Sequence, residues 1–205
     1  MKIESVSANP DRVGRYYVKF EDGSTLRLYR QTMEDYAIFV GREMDDNEIE
    51  RLHTDAGKMS AKMRATRILA STDVSKRDLK QRLIQKGENP EHSAEAVAWL
   101  EDLNLVDDAR TAEILVRRCA AKGYGLARAK QMLYEKRIPK EYWDDALADY
   151  PDQSEYIVSY LEKTDISDSK SARKAIDALI RRGHSYAQIK KAMGRIPMEE
   201  DFSED

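Results

Sequence analysis

KGYGLARAK at 122–130 and RGHSYAQIK at 182–190 are nearly the same phrase sixty residues apart: a base, Gly, a ring, a small residue, then Ala and Lys in matching slots. A related line occurs once more. Sliding SKRDLKQRLIQK (75–86) by fifty residues lands on GLARAKQMLYEK (125–136), and a further sixty lands on SYAQIKKAM (185–193). The apolar positions coincide as Leu79, Ala129 and Ile189, then Leu83, Leu133 and Met193, always four apart, which is the spacing of one helix face. Lys80, Lys130 and Lys190 coincide as well. A helical unit used about three times, each copy burying its apolar stripe on its neighbours, explains the recurrence.

Around these phrases the 3.6-residue period runs from about residue 56 onward and predicts helices at 56–71, 75–87, 90–103, 107–122, 125–137, 139–149, 152–163, 168–182 and 185–194. Gly87-Glu88-Asn89-Pro90, Gly123, Ile138-Pro139, Pro151 and Gly183 supply the breaks. The third copy is expected to be imperfect: it gains the helix at 152–163, and EEDFSED (199–205) is too polar and short for a closing helix. The first 55 residues read differently. YYVKFEDGSTLRLY (16–29) alternates on both sides of Asp22-Gly23, with Tyr16, Val18 and Phe20 on one face, and predicts a hairpin. KIESV adds a candidate third strand, and MEDYAIFVG (33–41) a short helix stopped by Gly41. The expected architecture is mainly α: tandem three-helix repeats forming an elongated body (56–105, 106–150 and 151–205, the last with a polar tail), preceded by a small β-rich module at 1–55.

Composition agrees. Charged residues make up 36% of the 205, and Gly (9) and Pro (5) are sparse, as in a chain of long helices. No apolar run reaches the roughly 18 residues of a membrane span, and MKIESVSANPDR has no apolar signal segment, so a cytoplasmic protein with no membrane partner is expected. One cysteine, Cys119, leaves no internal disulfide and suits a reducing compartment. The catalytic inventory is thin: there is no GxxxxGK[ST] loop, HExxH, CxxC or GxSxG. No catalysis, cofactor or metal is expected. His53, His92 and His184 lie far apart and read as surface or packing residues; Cys119 lies on the Ala112–Leu115–Val116–Cys119 stripe and reads as core. Asp107-Asp108 opens a helix and reads as a cap. Trp99, Tyr142, Trp143 and Tyr150 read as packing anchors of the third helices.

The net charge of −3 argues against a nucleic-acid binder, but its distribution does not. Residues 58–87 hold nine Lys/Arg against Asp73 and Asp78, 109–137 hold eight against Glu113 and Glu135, and 169–195 hold eight against Asp177 alone. Between the first two blocks, 88–108 carries seven acids and no Lys or Arg. Basic helix pairs alternating with acidic third helices create a local field that the sum conceals. Solvation of exposed helix faces explains any single one of these cations equally well.

L-V-D-D-A-R-T-A-E (105–113), KG (122–123), YEKRIP (134–139) and ALIRRGHSYAQIKKAM (178–193), in that order and spacing, resemble the RecX family of recombinase regulators. The phrase L-x-R-R-G-F-S-x-x-x-I of its last repeat is matched by Leu179, Arg181, Arg182, Gly183, Ser185 and Ile189, with His184 in place of the usual Phe. That replacement is expected to leave the position wetter. Thr72-Asp73-Val74 stands where members often have an Arg-rich helix start. The resemblance spans roughly 56–195. It implies a non-enzymatic regulator that binds the RecA recombinase filament in its groove and suppresses ATP hydrolysis and strand exchange, acting in recombination, repair and the SOS response, and meeting nucleic acid through the filament. Candidate contacts are Lys76, Arg77 and Lys80; Arg117, Arg118, Lys122, Arg128 and Lys130; and Arg181, Arg182, Lys190 and Lys191. Arg117, Arg118, Arg181 and Arg182 are expected to hold their charged heads in solvent. Two alternatives remain: a direct DNA binder of helix-turn-helix type, with weak binding of bare DNA as the lesser form of that contact, and a helical-repeat interaction scaffold.

Overall fold

Period-2 patterning becomes a three-stranded antiparallel sheet in the order β1 (Ile3–Ala8), β2 (Arg15–Phe20), β3 (Thr25–Tyr29). The structure, a computed structural model, describes residues 1–9, 14–164, 166 and 168–195; the polar tail at 199–205 lies outside them. The Asp22-Gly23 turn holds as read: Gly23 takes φ 85°, and its N–H donates to the Phe20 carbonyl at 2.9 Å. Register pairs Val18 with Leu26 and Tyr16 with Leu28, so the alternating apolar side faces inward, and Val18, Phe20 and Leu28 are buried.

Helix α1 occupies Arg30–Asp35, not 33–41. Ala37 has φ 43° and ends the helical path, and the following backbone bonds to strand β1 instead: Gly41 N–H donates to Ile3 O and Ile3 N–H to Arg42 O, both at 2.9 Å. A chain that can satisfy its amides on a sheet edge has no need of a further helical turn.

The largest departure is α2, Asp46–Ser71, which begins ten residues before the expected 56 and runs through the anticipated module boundary at 55. Asp45 and Glu48 form a reciprocal capping box that starts it. Its two halves serve two cores. Ile49, Leu52 and Ala56 close the sheet with Ile3, Val18, Phe20, Leu28 and Met44. Ala61, Ala65 and Ile68 pack instead with Leu79 and Leu83 of α3 (Lys76–Gln85), Ala96, Val97 and Leu100 of α4 (Pro90–Asp102), and Val106, with Trp99 against them. Small residues along α2 let α3 and α4 approach closely. Each fully buried leucine there contributes about 2 kcal/mol of burial free energy. Met1–Val106 forms one compact unit and a second begins at Asp107.

In the second unit, α5 (Asp108–Ala121), α6 (Leu126–Glu135), a 3-10 turn (Lys140–Tyr142) and α7 (Trp143–Leu147) enclose Ala112, Leu115, Val116, Leu133 and Ile138. Asp107 caps α5, accepting the Arg110 N–H at 3.1 Å. Tyr142, Trp143 and Tyr150 pack on this core as expected; Trp143 Nε1 donates to Ile138 O at 3.1 Å. The third core joins Ile157 and Leu161 of α8 (Ser154–Glu162), Ala175 and Leu179 of α9 (Ser169–Arg181), and Ile189 and Ala192 of α10 (Tyr186–Met193). The helix at 152–163, expected as an addition, is therefore a full member of the three, and no closing helix after α10 is required. Since α10 packs on α8 and α9, it stands third in its bundle, whereas α6 stands second. The recurring phrase marks a tight helix–turn–helix junction, whichever two helices it joins.

Candidate partner-binding surface

Helices α3, α6 and α10 start from matched positions, Ser75, Gly125 and Ser185. Ser75 accepts from Asp78 N–H, and Ser185 accepts from Gln188 N–H in a capping box. Gly125 has no side chain to cap with, and the reason is tertiary. Its N–H donates to the Arg182 carbonyl at 2.9 Å, and a Cβ there would lie 2.0 Å from the Gly183 carbonyl oxygen. The two quoted turns thus lie against one another. Gly183, at φ 90°, would place a Cβ 2.3 Å from Arg128 N, and Gly123, at φ 65°, would place one 2.2 Å from the Tyr156 ring. Only glycine fits at these three positions.

Arg182 lies inside this junction, contrary to its expected place in solvent. Its Nη2 donates to the Lys122 carbonyl at 2.6 Å, and its guanidinium carbon lies 4.8 Å from the Tyr124 ring centroid and 5.1 Å from that of Tyr156. Guanidinium–ring contacts of this kind contribute about 0.5–2 kcal/mol each. His184 is 4% exposed rather than wetter. Its Nε2 lies 3.0 Å from the Gly123 carbonyl, and its ring stacks on Tyr156 at 5.9 Å. Burial lowers its pKa below the ordinary imidazole value, partly offset by the Gly123 hydrogen bond, and Arg182 nearby lowers it further. Burial thus favours the uncharged ring. Nearby, the Tyr150 hydroxyl donates to Tyr124 O at 2.6 Å, and burial pushes its phenol up to about 12. Cys119 is buried among these helices with its thiol pushed up by desolvation, as a core residue would be.

The other candidate cations divide by surroundings. In the first unit, Lys76 Nζ pairs with Glu101 of α4 at 2.7 Å, while Arg77 and Lys80 stand exposed on α3. In the second, Arg128 is half-buried and pairs with Glu135 at 3.2 Å, and Arg117 pairs with Glu113 one turn back while remaining 75% exposed. Arg118, Lys122, Lys130, Arg181, Lys190 and Lys191 are exposed. The junction brings Lys122, Arg128 and Arg182 together across sixty residues of sequence. Of these, Arg182 is a structural residue and Arg128 is partly one. Of the rings that hold Arg182, Tyr124 is the ring of the recurring phrase and Tyr156 carries no signal in the sequence; Gly123 and Gly183, read as helix breaks, and Gly125, read as a helix start, are the positions that point to the contact.

Among the described residues no cluster of three or more His, Cys, Asp or Glu is placed to hold a metal ion, and no helix is long and apolar enough to cross a membrane. Residues 107–147 match the family model for the second three-helix domain of RecX. A regulatory protein RecX from Vibrio campbellii is 32% identical over 143 residues, which cover 67% of this chain and 92% of that one. Another from Clostridioides difficile is 27% identical over 204 residues, 95% of this chain and 94% of its own. A crystal structure of a regulatory protein RecX superposes with TM-score 0.62 at 20% identity over 94% of this chain and 98% of the other, so the fold is shared along the length. With a three-helix bundle matched in place, and relatives alike over nearly their whole lengths, this chain belongs to the RecX family.

Proposed function

We propose that this protein is a non-catalytic regulator that binds the RecA recombinase filament on single-stranded DNA and lowers its ATP hydrolysis and strand exchange. Membership of a family whose relatives are named regulatory proteins supports the regulatory role. The observation that carries the contact is the exposure of Arg117, Arg118, Lys122 and Lys130 in the second repeat and Arg181, Lys190 and Lys191 in the third. Exposed guanidinium and ammonium groups are available to acidic protein surface and to phosphates alike. Arg182 takes no part in that surface, because the junction already holds it.

The test compares binding to bare and to recombinase-coated single strands across a salt series. Binding through phosphates alone falls steeply with salt, because each neutralised phosphate releases counterions. The expected result is tight binding to coated strands at physiological salt, weak binding to bare DNA, and slowed ATP hydrolysis by the filament. Arg117→Glu, Arg118→Glu and Arg181→Glu together relieve the inhibition without altering the far-ultraviolet circular dichroism. Equal affinity for bare and coated strands refutes the filament reading and favours direct DNA binding. That second reading draws on the helix–turn–helix form of each repeat, with exposed Lys80 and Lys130 on α3 and α6.

A further inference from the structure

The first unit contains a cleft of about 400 Å³ between strand β3, helix α2 and the turn leading into α4. Residues 1–55 are acidic by count, yet the cleft is lined by Arg15, Arg27, Arg64, His53 and His92 against, among the described residues, a single carboxylate, Glu88. That carboxylate is already engaged. Its side chain is only 8% exposed, and its Oε1 accepts from Arg64 Nε at 2.5 Å and from Ser60 Oγ at 3.0 Å. Arg15 Nε is held by a neutral acceptor, the Tyr29 hydroxyl at 2.9 Å, which also accepts from Arg67 Nη2 at 2.8 Å. Arg27 stands exposed on β3, and among the described residues neither Arg15 nor Arg27 is ion-paired.

One feature of α2 marks this cleft as built. Gly57 lies mid-helix, where glycine is about 1 kcal/mol less favourable than alanine. A Cβ there would lie 2.6 Å from His92 Nδ1 and 2.7 Å from His92 Cε1. The glycine makes room for the imidazole edge at the cleft wall. Three guanidiniums from two strands and a helix, two imidazoles and the hydroxyls of Thr25, Tyr29 and Ser60 line a space with excess positive charge and room for more than a bare ion.

We propose that this cleft binds a nucleotide phosphate, with Arg15 and Arg27 on the phosphate oxygens, the Arg64–Glu88 pair at the wall, and His53 and His92 beside the attached group. Guanidinium forks match tetrahedral phosphate geometry, and several from separate elements suit a group with oxygens on more than one side. A cleft of this volume lies within the range of small-ligand sites. Two sources share this chemistry, a free nucleotide and one nucleotide unit of a single strand. The inference does not depend on the recombinase reading, since the protein and the ligand alone test it.

The experiment follows the histidine ring nitrogens of the full-length protein by long-range proton–nitrogen NMR at constant pH. The probes are AMP, inorganic phosphate, a thymidine 12-mer, and acetate as a carboxylate control. His184, buried in the second unit, is the internal reference. The expected result is saturable movement of the His92 and His53 signals with AMP or with the 12-mer, His184 stationary, and no response to acetate. Arg27→Gln and, separately, Arg15→Gln weaken the response about tenfold each, as loss of one charge-assisted hydrogen bond predicts. Response to AMP assigns the free nucleotide as source, and response to the 12-mer alone assigns the strand. No saturable movement with AMP or the 12-mer, an equal response to acetate, or unchanged binding by both variants overturns the proposal.

Discussion

Replacing Gly125 by Ala sets two effects of opposite sign against each other. Gly125 has φ −75° and ψ 165°, a conformation alanine adopts freely, so backbone entropy alone predicts stabilisation by about 0.4–1 kcal/mol. Packing predicts the reverse. The added Cβ would meet Gly183 O at 2.0 Å, Gly183 C at 2.3 Å and His184 N at 2.5 Å, all of them backbone atoms. The two turns must separate until the closest of these reaches the 3.4 Å at which ordinary contact begins. That movement stretches the Gly125-to-Arg182, Arg182-to-Lys122 and His184-to-Gly123 hydrogen bonds, now 2.9, 2.6 and 3.0 Å. Overpacking costs about 1–3 kcal/mol and each weakened hydrogen bond about 1 kcal/mol. Allowing for the entropic gain, net destabilisation is about 3–5 kcal/mol. The assay is urea unfolding followed by Trp143 fluorescence in a Trp99→Phe background, since Trp99 belongs to the other unit. Gly194→Ala is the control in the same unit, with φ −68° and its nearest neighbour at 3.7 Å, and should change stability by less than about 0.5 kcal/mol. An unchanged or raised midpoint for Gly125→Ala refutes the turn-on-turn packing.

His184 makes the second unit acid-sensitive. Its folded pKa lies below the unfolded value of about 6.5, so the unfolded chain binds more protons in the interval between them. Stability is therefore unaffected above that interval and declines as pH falls through it; His184→Phe should remove this slope from the difference between the two unfolding curves, and parallel curves would count against it. Cys119, buried with a raised thiol pKa, should resist alkylation at neutral pH in the native state and react on denaturation, as mass spectrometry would report. Leu79→Ala and Leu133→Ala, both at fully buried positions, should each cost about 2–5 kcal/mol, read by Trp99 for the first and Trp143 for the second. Loss from both reporters in either variant would refute the separation of the cores. Asp45→Ala removes half of a capping box and should cost about 1 kcal/mol in the first unit, measured by Trp99.

The candidate surface was legible only in part. Lys130, Arg181, Lys190 and Lys191 are exposed on basic helices, as counting charges suggests. Arg182 adjoins Arg181 and has the same chemistry, yet one head is exposed and the other is held against two tyrosine rings. Periodicity within one helix does not distinguish them, because the difference comes from Tyr124 in the turn before α6 and Tyr156 on α8. The cleft was invisible for the same reason. Arg15, His53 and His92 share no spacing that a motif could encode, and only the packing of β3 and α4 on α2 places them on one space.

Local physics determined most of the elements from the sequence alone. The Asp22-Gly23 hairpin, the cap at Asp107, the apolar faces of α3, α5, α6 and α10, and membership of a repeat family all follow from spacing, turn chemistry and residue order. The start of α2 was also written locally, in Asp45 and Glu48, but the polar run that surrounds the capping box hides the apolar period behind it. Tertiary structure decided which helices share a core. Whether α8 is an addition or a founding member of the third bundle depends on Ile157 and Leu161 meeting Leu179 and Ile189, contacts that no single helix specifies. It also decided what the recurring glycines do. A helix stop requires one glycine in a left-handed turn, but two turns in backbone contact require glycine on both sides, and that requirement exists only once the turns meet.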